Sequence, residues 1–161
     1  MNASSGDGGE GRPATARDRS RAGSILFLCG QNQIRSPMAE ALARARLPAS
    51  VLVRSAGLRS GTRDPFVDAV IAEAGLPLVA HDPHLVDDLE DDLFDVIVAL
   101  TPEAEARAHE LARTASVEVL CWPMPDPSAT EGRREQVIDA YRELRDRLDA
   151  AISEHFAADQ D

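Results

Sequence analysis

The stretch that decides the fold covers residues 24–40 and reads SILFLCGQNQIRSPMAE. Its first five residues form an apolar run of the length of a buried strand, and a polar loop follows after Cys29. Ser36 and Pro37 then predict a helix that continues to Arg46, with the serine as its cap and the proline at its first helical position. A strand, a short loop and a helix in this order are typical of the first unit of a parallel sheet.

The same alternation of short apolar runs and amphipathic stretches continues along the chain. It predicts further strands at 51–55, 94–100 and 116–121, helices at 64–74, 101–113 and 133–156, and a loop with a weak helix at 78–93. An apolar stripe at helical spacing in the last helix is expected to be core, and comprises Val137, Tyr141, Leu144, Leu148, Ile152 and Phe156. We therefore predict one α/β domain over residues 24–157, a three-layer sandwich with a four-stranded parallel sheet.

Composition excludes several classes of function. The 161 residues suit one domain, and 43% hydrophobic with 28% charged residues is ordinary for a globular protein. The net charge of −11 repels phosphodiester backbones, which disfavours nucleic acid as a partner. Every basic residue is arginine, so a lysine Schiff base and a Walker-type phosphate lysine are both excluded.

The chain ends and the cysteines give further expectations. Residues 1–23 contain no Val, Ile, Leu or Phe and are predicted to be a disordered tail, and residues 158–161 a short C-terminal tail.

Only Cys29 and Cys121 are present, which excludes a disulfide framework or a four-cysteine zinc site. Because no apolar run is long enough to span a membrane and no signal-peptide core begins the chain, we expect a cytoplasmic protein without a membrane partner.

The segment from Cys29 to Ser36 has the features of an anion site. A loop between a strand and a helix start presents backbone N–H groups and the positive helix end to one point, and Arg35 adds a planar fork for two phosphate oxygens. Such positive surroundings also stabilise a cysteine thiolate. Cys29 is therefore a candidate nucleophile toward bound phosphate; the alternative is an inert buried thiol at a strand end.

A second candidate group follows the last predicted strand. Asp126 stands between Pro125 and Pro127, in a loop expected at the same carboxyl edge of the sheet as Cys29. A carboxyl group there could protonate a leaving oxygen and then deprotonate water. The alternative is an ordinary turn aspartate before proline.

On these residues the chain resembles the low-molecular-weight protein tyrosine phosphatases and the related arsenate reductases. The resemblance extends over about residues 24–156 and includes ILFLCGQNQIRSPMAE, Ser55-Ala56-Gly57, Asp64-Pro65, FDVIVAL and Asp126-Pro127. It implies a sheet with the strand order 2-1-3-4. It also implies Cys29 as nucleophile, Arg35 as phosphate clamp, Ser36 as donor to the thiolate, Asn32 as loop organiser and Asp126 as general acid. The phosphate-binding residues that it implies are Gly30, Gln31, Asn32, Gln33, Ile34, Arg35 and Ser36.

The chain departs from the family pattern at several positions. Gln31 and Ile34 replace a glycine and a second cysteine of the family loop. The family's aromatic residues in the loop after Ser-Ala-Gly and after the Asp-Pro pair are absent, since 58–61 reads LRSG and Ser128 follows Pro127. Trp122 and Phe66 are the candidates to replace this aromatic wall.

The remaining titratable clusters predict no metal and no cofactor. The acidic run, which comprises Asp87, Asp88, Glu90, Asp91, Asp92 and Asp95, lacks the glycine of a calcium loop and is expected to be a solvated face. The four histidines lack zincin spacing, and His81 and His84, at positions where the family often has histidine and arginine, are expected to be structural.

These observations predict hydrolysis of phosphomonoesters, by resemblance of protein phosphotyrosine, through a phosphocysteine intermediate. The partner is then a phosphorylated protein or a small phosphomonoester. Two alternatives stay open. One is an arsenate reductase of the same fold, and the other is a non-hydrolytic phosphate-binding or phosphocarrier protein, which has no need of a leaving-group acid such as Asp126.

Overall fold

The computed structural model describes residues 23–89 and 94–157. Residues 1–22 of the tail predicted at 1–23, the tail predicted at 158–161, and residues 90–93 of the acidic run lie outside the described residues. The strands are β1 (Ser24–Cys29), β2 (Leu52–Gly57), β3 (Val96–Ala99) and β4 (Glu118–Cys121). The helices are α1 (Arg35–Arg46), α2 (Pro65–Glu73), α3 (Pro102–Ala112) and α4 (Arg134–Ile152), and single 3₁₀ or π turns lie at Val86–Leu89, Pro127–Ala129 and Ser153–Ala157.

The four strands form one parallel sheet in the order β2-β1-β3-β4, which confirms the predicted topology. Successive residues of β1 alternate between two apolar clusters, as side chains of a strand must. Phe27 joins the cluster made with α1, α2 and α4, whereas Leu28 joins the cluster made with α3. The protein is therefore a three-layer α/β/α sandwich, and the predicted stripe of the last helix lies in the larger cluster.

Helix starts differ in one instance from the sequence-based prediction. Asp64 caps α2 by accepting a hydrogen bond from Phe66 N, and Thr101 caps α3 by accepting one from Ala104 N. The predicted Ser36 cap is wrong, because α1 begins two residues earlier, at Arg35 and not at Pro37, and Ile34 occupies the cap position without a side-chain bond. The buried Ser36 hydroxyl is used elsewhere, beside Cys29.

The described part of the acidic run is not simply a solvated face. Asp95 Oδ2 accepts hydrogen bonds from Gly23 N at 2.7 Å and Ser24 N at 3.2 Å, so it fixes the start of β1. Asp87 pairs with Arg107 of α3. No helix within residues 23–89 and 94–157 is both long enough and apolar enough to cross a membrane.

A buried hydrogen bond joins α4 to the start of α2. The Tyr141 hydroxyl donates to Asp64 Oδ2 at 2.7 Å, while Oδ1 of the same carboxylate caps the helix. Burial, followed by the bond to Asp64, raises the pKa of Tyr141 above its usual range. The hydroxyl therefore stays protonated at neutral pH and can keep donating to Asp64.

Substituting Tyr141→Phe is expected to lower the free energy of unfolding by about 1.5–3 kcal/mol, the usual contribution of a hydrogen bond to a charged group. The cost arises because Asp64 Oδ2 would stay buried without its donor. Urea unfolding followed by circular dichroism measures the change. Asp64→Asn, which keeps a capping oxygen, should cost less than Asp64→Ala. An unchanged unfolding free energy in Tyr141→Phe would mean that the hydroxyl contributes nothing.

Candidate functional site

The Cys29 loop, residues Gly30 to Ile34, is held in a compact shape by its own backbone and by the end of β2. Asn32 adopts a φ of +52°, in the left-handed region. The Gly30 carbonyl accepts hydrogen bonds from Leu58 N at 2.8 Å and Arg59 N at 2.9 Å. A side-chain carbon at Gly57 would lie 2.5 Å from Asn32 N, so only glycine permits this approach of the loop to β2.

Three buried side chains form a hydrogen-bonded chain beneath this loop. Cys29 Sγ lies 2.9 Å from Ser36 Oγ, and Asn32 Nδ2 donates to the same hydroxyl at 2.8 Å. With Asn32 donating, the single Ser36 proton is free for Cys29 Sγ or for the Ala56 carbonyl at 3.3 Å. The serine can therefore donate to the sulfur when Cys29 becomes a thiolate, as the family resemblance implies.

Arg35, the first residue of α1, points back across the site toward the loop that follows β4. Its Nη1 donates to the Met124 carbonyl at 3.1 Å. A guanidinium carries five N–H donors, so this bond leaves others for an anion. The contact fixes the orientation of the arginine relative to the 122–128 loop before any ligand arrives.

Asp126 and Cys29 line the same small, solvent-open cavity of about 60 Å³. Its other lining residues are Gln31, Gln33, Ile34, Arg35 and Ser128. The Asp126 carboxylate is exposed, and its Oδ1 accepts from Ser128 N at 2.9 Å and from Ser128 Oγ at 2.6 Å. The structure thus brings the three predicted catalytic side chains to one cavity, together with four of the seven predicted phosphate-binding residues. Of the other three, the side chains of Asn32 and Ser36 lie beneath the loop backbone. The Gly30 carbonyl accepts hydrogen bonds from residues 58 and 59.

Neither proposed aromatic replacement lines this cavity. Trp122 is buried, with its ring centroid 6.1 Å from that of Phe27 and 5.8 Å from that of Phe156. Phe66 packs against Tyr141 with a centroid separation of 5.1 Å. The sequence pointed to these rings because they are aromatic and near the motifs. In the structure Trp122 is buried in the core, and Phe66 is partly buried against it.

His84 contacts the Cys29 loop directly, and His81 stacks against His84. His84 N donates to Asn32 Oδ1 at 2.6 Å, and the His84 ring stacks on His81 with centroids 4.0 Å apart. His81 Nε2 lies 2.8 Å from Oε1 of the buried Glu40, which also accepts from Ser55. Burial, and then the neighbouring His81, lower the pKa of His84, so its ring is neutral at physiological pH. These contacts agree with the structural role predicted for both residues.

The second cysteine lies on the other face of the sheet. Cys121 has the strand parity of Val119, which packs in the α3 cluster, whereas Cys29 belongs to the cluster of α1, α2 and α4. Partial desolvation of the otherwise exposed Cys121, together with a hydrogen bond to Glu105, raises the pKa of its thiol. The register places Cys121 beside Ala99 and Ala99 beside Leu28, so β3 separates the two cysteine-bearing strands.

Several features of the site have no local sequence pattern that predicts them. The close approach at Gly57, the Met124 carbonyl as a partner of Arg35 and the Asp64–Tyr141 bond all join residues that are distant in sequence. One further pair of polar side chains does have a sequence pattern. Glu105 and His109 stand four residues apart, which places them on one face of α3, and both lie close to Cys121. Zincin spacing concerns pairs of histidines, so it does not detect this pair.

Comparison with known proteins places this geometry in a family. The family described as "Low molecular weight phosphotyrosine protein phosphatase" matches residues 24–159. Arsenate reductase 1 of Staphylococcus epidermidis is 28% identical over 129 residues, covering 80% of this chain and 92% of the relative.

Solved structures agree on the fold. The Erwinia amylovora tyrosine phosphatase AmsI superposes with a TM-score of 0.70 at 23% identity, over 85% of this chain and 93% of that one. The YwlE arginine phosphatase of Geobacillus stearothermophilus gives 0.67 at 26% identity, over 81% and 88%. The chain therefore belongs to the low molecular weight phosphotyrosine protein phosphatase family, which comprises cysteine-dependent phosphatases and arsenate reductases.

Proposed function

We propose that the protein hydrolyses phosphomonoesters through a phosphocysteine intermediate on Cys29, with Asp126 as the general acid. The observation that carries the proposal is the placement of Cys29, Arg35 and Asp126 around one cavity, with Ser36 Oγ 2.9 Å behind the sulfur. A phosphate carrier or a phosphoprotein-binding protein has no use for an exposed carboxylate opposite the thiol, so Asp126 favours hydrolysis over those alternatives.

The reaction follows from the position of each group. The Cys29 thiolate attacks phosphorus, the ester bond breaks, and the leaving oxygen takes a proton from Asp126. Arg35 and the amides of the loop hold the non-bridging oxygens, on which charge develops. Water then attacks the phosphocysteine and gives its proton to Asp126, which releases inorganic phosphate and restores the thiolate.

The substrate that the family supports is protein phosphotyrosine. The cavity has a polar rim made by Gln31, Gln33 and Ser128, and the residues that line it include no aromatic ring. Recognition of the leaving group would therefore rest on hydrogen bonds more than on stacking, and discrimination between aryl and alkyl phosphates is expected to come mainly from Asp126 and leaving-group chemistry.

The test of this proposal is hydrolysis of an aryl phosphate by the full chain in the presence of a metal chelator. Release of phenol and inorganic phosphate is expected, and acid-quenched samples should carry phosphate on Cys29 by mass spectrometry. Phosphotyrosine, phosphoserine and phosphoarginine peptides assayed in parallel would identify the substrate class. Phosphate bound to Cys29 without release would instead support a carrier.

Arsenate reduction is the second candidate, because curated relatives covering about 80% of the chain are arsenate reductases. In that chemistry Cys29 would bond arsenic, and a second thiol would attack Cys29, so that arsenate leaves as arsenite and two thiols become a disulfide. Cys121 is poorly placed to be that thiol. Two strand spacings separate its backbone from that of β1, about 9.6 Å, whereas a disulfide needs Cα atoms within about 7 Å, and the side chains occupy opposite sheet faces.

Substituting Cys121→Ser is accordingly expected to leave phosphatase turnover, measured with a metal chelator present, within about twofold of wild type, since surface changes away from a site have small effects. Arsenate added with thioredoxin or glutaredoxin should cause little consumption of reductant, measured as NADPH oxidation through the matching reductase. Rapid arsenate-dependent oxidation that disappears in Cys121→Ser, together with a Cys29–Cys121 disulfide, would establish the reductase instead.

A further inference from the structure

Three side chains with different ligand chemistry meet on the sheet face opposite Cys29. Glu105 and His109 lie one turn apart on α3, and Cys121 ends β4 across from them. A carboxylate oxygen, an imidazole nitrogen and the thiol sulfur all lie within 4.8 Å of one another. This convergence is independent of the Cys29 cavity, because none of the three residues lines it.

The separations suit one tetrahedral ion. Ligands at the usual Zn–N and Zn–S distances lie about 3.3–3.7 Å apart around a tetrahedron. Glu105 Oε2 and His109 Nε2 are already 3.7 Å apart, because residues at i and i+4 share a helix face. The side chains of Glu105 and His109 are about half exposed, at 47% and 59%, and Cys121 is exposed. Rotation about side-chain bonds can therefore bring Cys121 Sγ to ligand distance from the other two atoms without moving the backbone.

The donor set selects among metals. A thiolate, an imidazole and a carboxylate together are borderline-soft ligands, which suit Zn²⁺ and not the oxygen-seeking Mg²⁺ or Ca²⁺. The chain's net charge of −11 also favours cation binding.

We propose that Glu105, His109 and Cys121 form a zinc-binding site whose fourth position is open to water. Bound zinc would tie the end of β4 to α3. The 122–128 loop, which carries Asp126, begins at the next residue, so the metal would fix the base of that loop. The open fourth position makes the site able to accept a further ligand, such as a thiol or carboxylate from a small molecule.

Cobalt titration of the untagged full-length protein tests the site, because Co²⁺ adopts the same geometry and gives a thiolate charge-transfer band. We expect one equivalent to bind, with the band abolished by stoichiometric Zn²⁺. Cys121→Ser should remove the band. His109→Gln and Glu105→Gln should each weaken binding by at least about tenfold, since loss of a group merely supporting a ligand costs that much.

Matched controls separate this site from the Cys29 cavity. Cys29→Ser removes the other thiol and should leave the cobalt band intact, and Glu110→Gln removes the same charge from a different position on α3 and should leave the affinity unchanged. Absence of cobalt binding in wild type overturns the proposal. So does a band that survives in Cys121→Ser but disappears in Cys29→Ser. His109→Gln provides an independent check should Cys121→Ser alter folding, which circular dichroism would reveal.

Discussion

Substituting Cys29→Ser is expected to abolish phosphate ester turnover while inorganic phosphate and vanadate still bind. Serine lacks a thiolate, so the phosphocysteine cannot form, and removal of a covalent nucleophile costs on the order of 10⁶-fold in rate. Arg35 and the amides of the Cys29 loop, which hold the anion, are unchanged by the substitution. Steady-state hydrolysis of nitrophenyl phosphate measures turnover, and calorimetric titration with phosphate measures binding.

The matched control is Cys121→Ser, the same chemical change at the only other cysteine. With a metal chelator present it should retain turnover, because its side chain lies on the opposite sheet face. Substantial turnover in Cys29→Ser would refute the assignment of the nucleophile. Loss of phosphate binding together with turnover would mean that the sulfur is needed for the shape of the loop.

Substituting Asp126→Asn should slow hydrolysis of phenyl phosphate by about 10²–10⁴-fold, the usual contribution of general acid catalysis. The loss should be far smaller with nitrophenyl phosphate, because its leaving oxygen departs without needing a proton. The measurement is kcat for both esters in the same preparation. The ratio of the two losses reports proton donation, whereas either loss alone does not.

Ser128→Ala serves as the companion variant, because Ser128 donates to Asp126 Oδ1 from both its hydroxyl and its backbone. Removing the hydroxyl alone keeps the carboxyl group and one of its two bonds. We expect a modest loss that is equal for both esters. If Asp126→Asn also reduces both esters equally, the residue orders the 122–128 loop and does not donate the proton.

Sequence reasoning recovered the sheet because its evidence is local. The apolar run before Cys29 and the one before Thr101 have the length of buried strands, and the stretches between strands have the length of crossover helices. The order of the strands then followed from the resemblance and is confirmed. Strand ends were less accurate: β3 begins at Val96 and not at 94, and the Asp95 side chain just before it accepts hydrogen bonds from Gly23 N and Ser24 N.

The parts of the candidate site that were missed depend on tertiary contacts. Ser36 has the chemistry of a helix cap, and only its position beneath Cys29 shows that its hydroxyl faces the sulfur instead. Trp122 and Phe66 have the chemistry of a binding wall, but burial in the core competes for large aromatic rings. Which sheet face Cys121 occupies follows from strand register, which a one-residue shift would reverse.

The hydrogen bond from Arg35 to the Met124 carbonyl has a consequence for product release. An arginine free in solvent loses about 2 kcal/mol of rotamer entropy when a ligand immobilises it. The Arg35 side chain is already held by its bond to the Met124 carbonyl, so the entropic cost of binding is reduced for inorganic phosphate as well as for the ester. Phosphate should therefore be a competitive inhibitor of the reaction that forms it, which steady-state kinetics with added phosphate would measure.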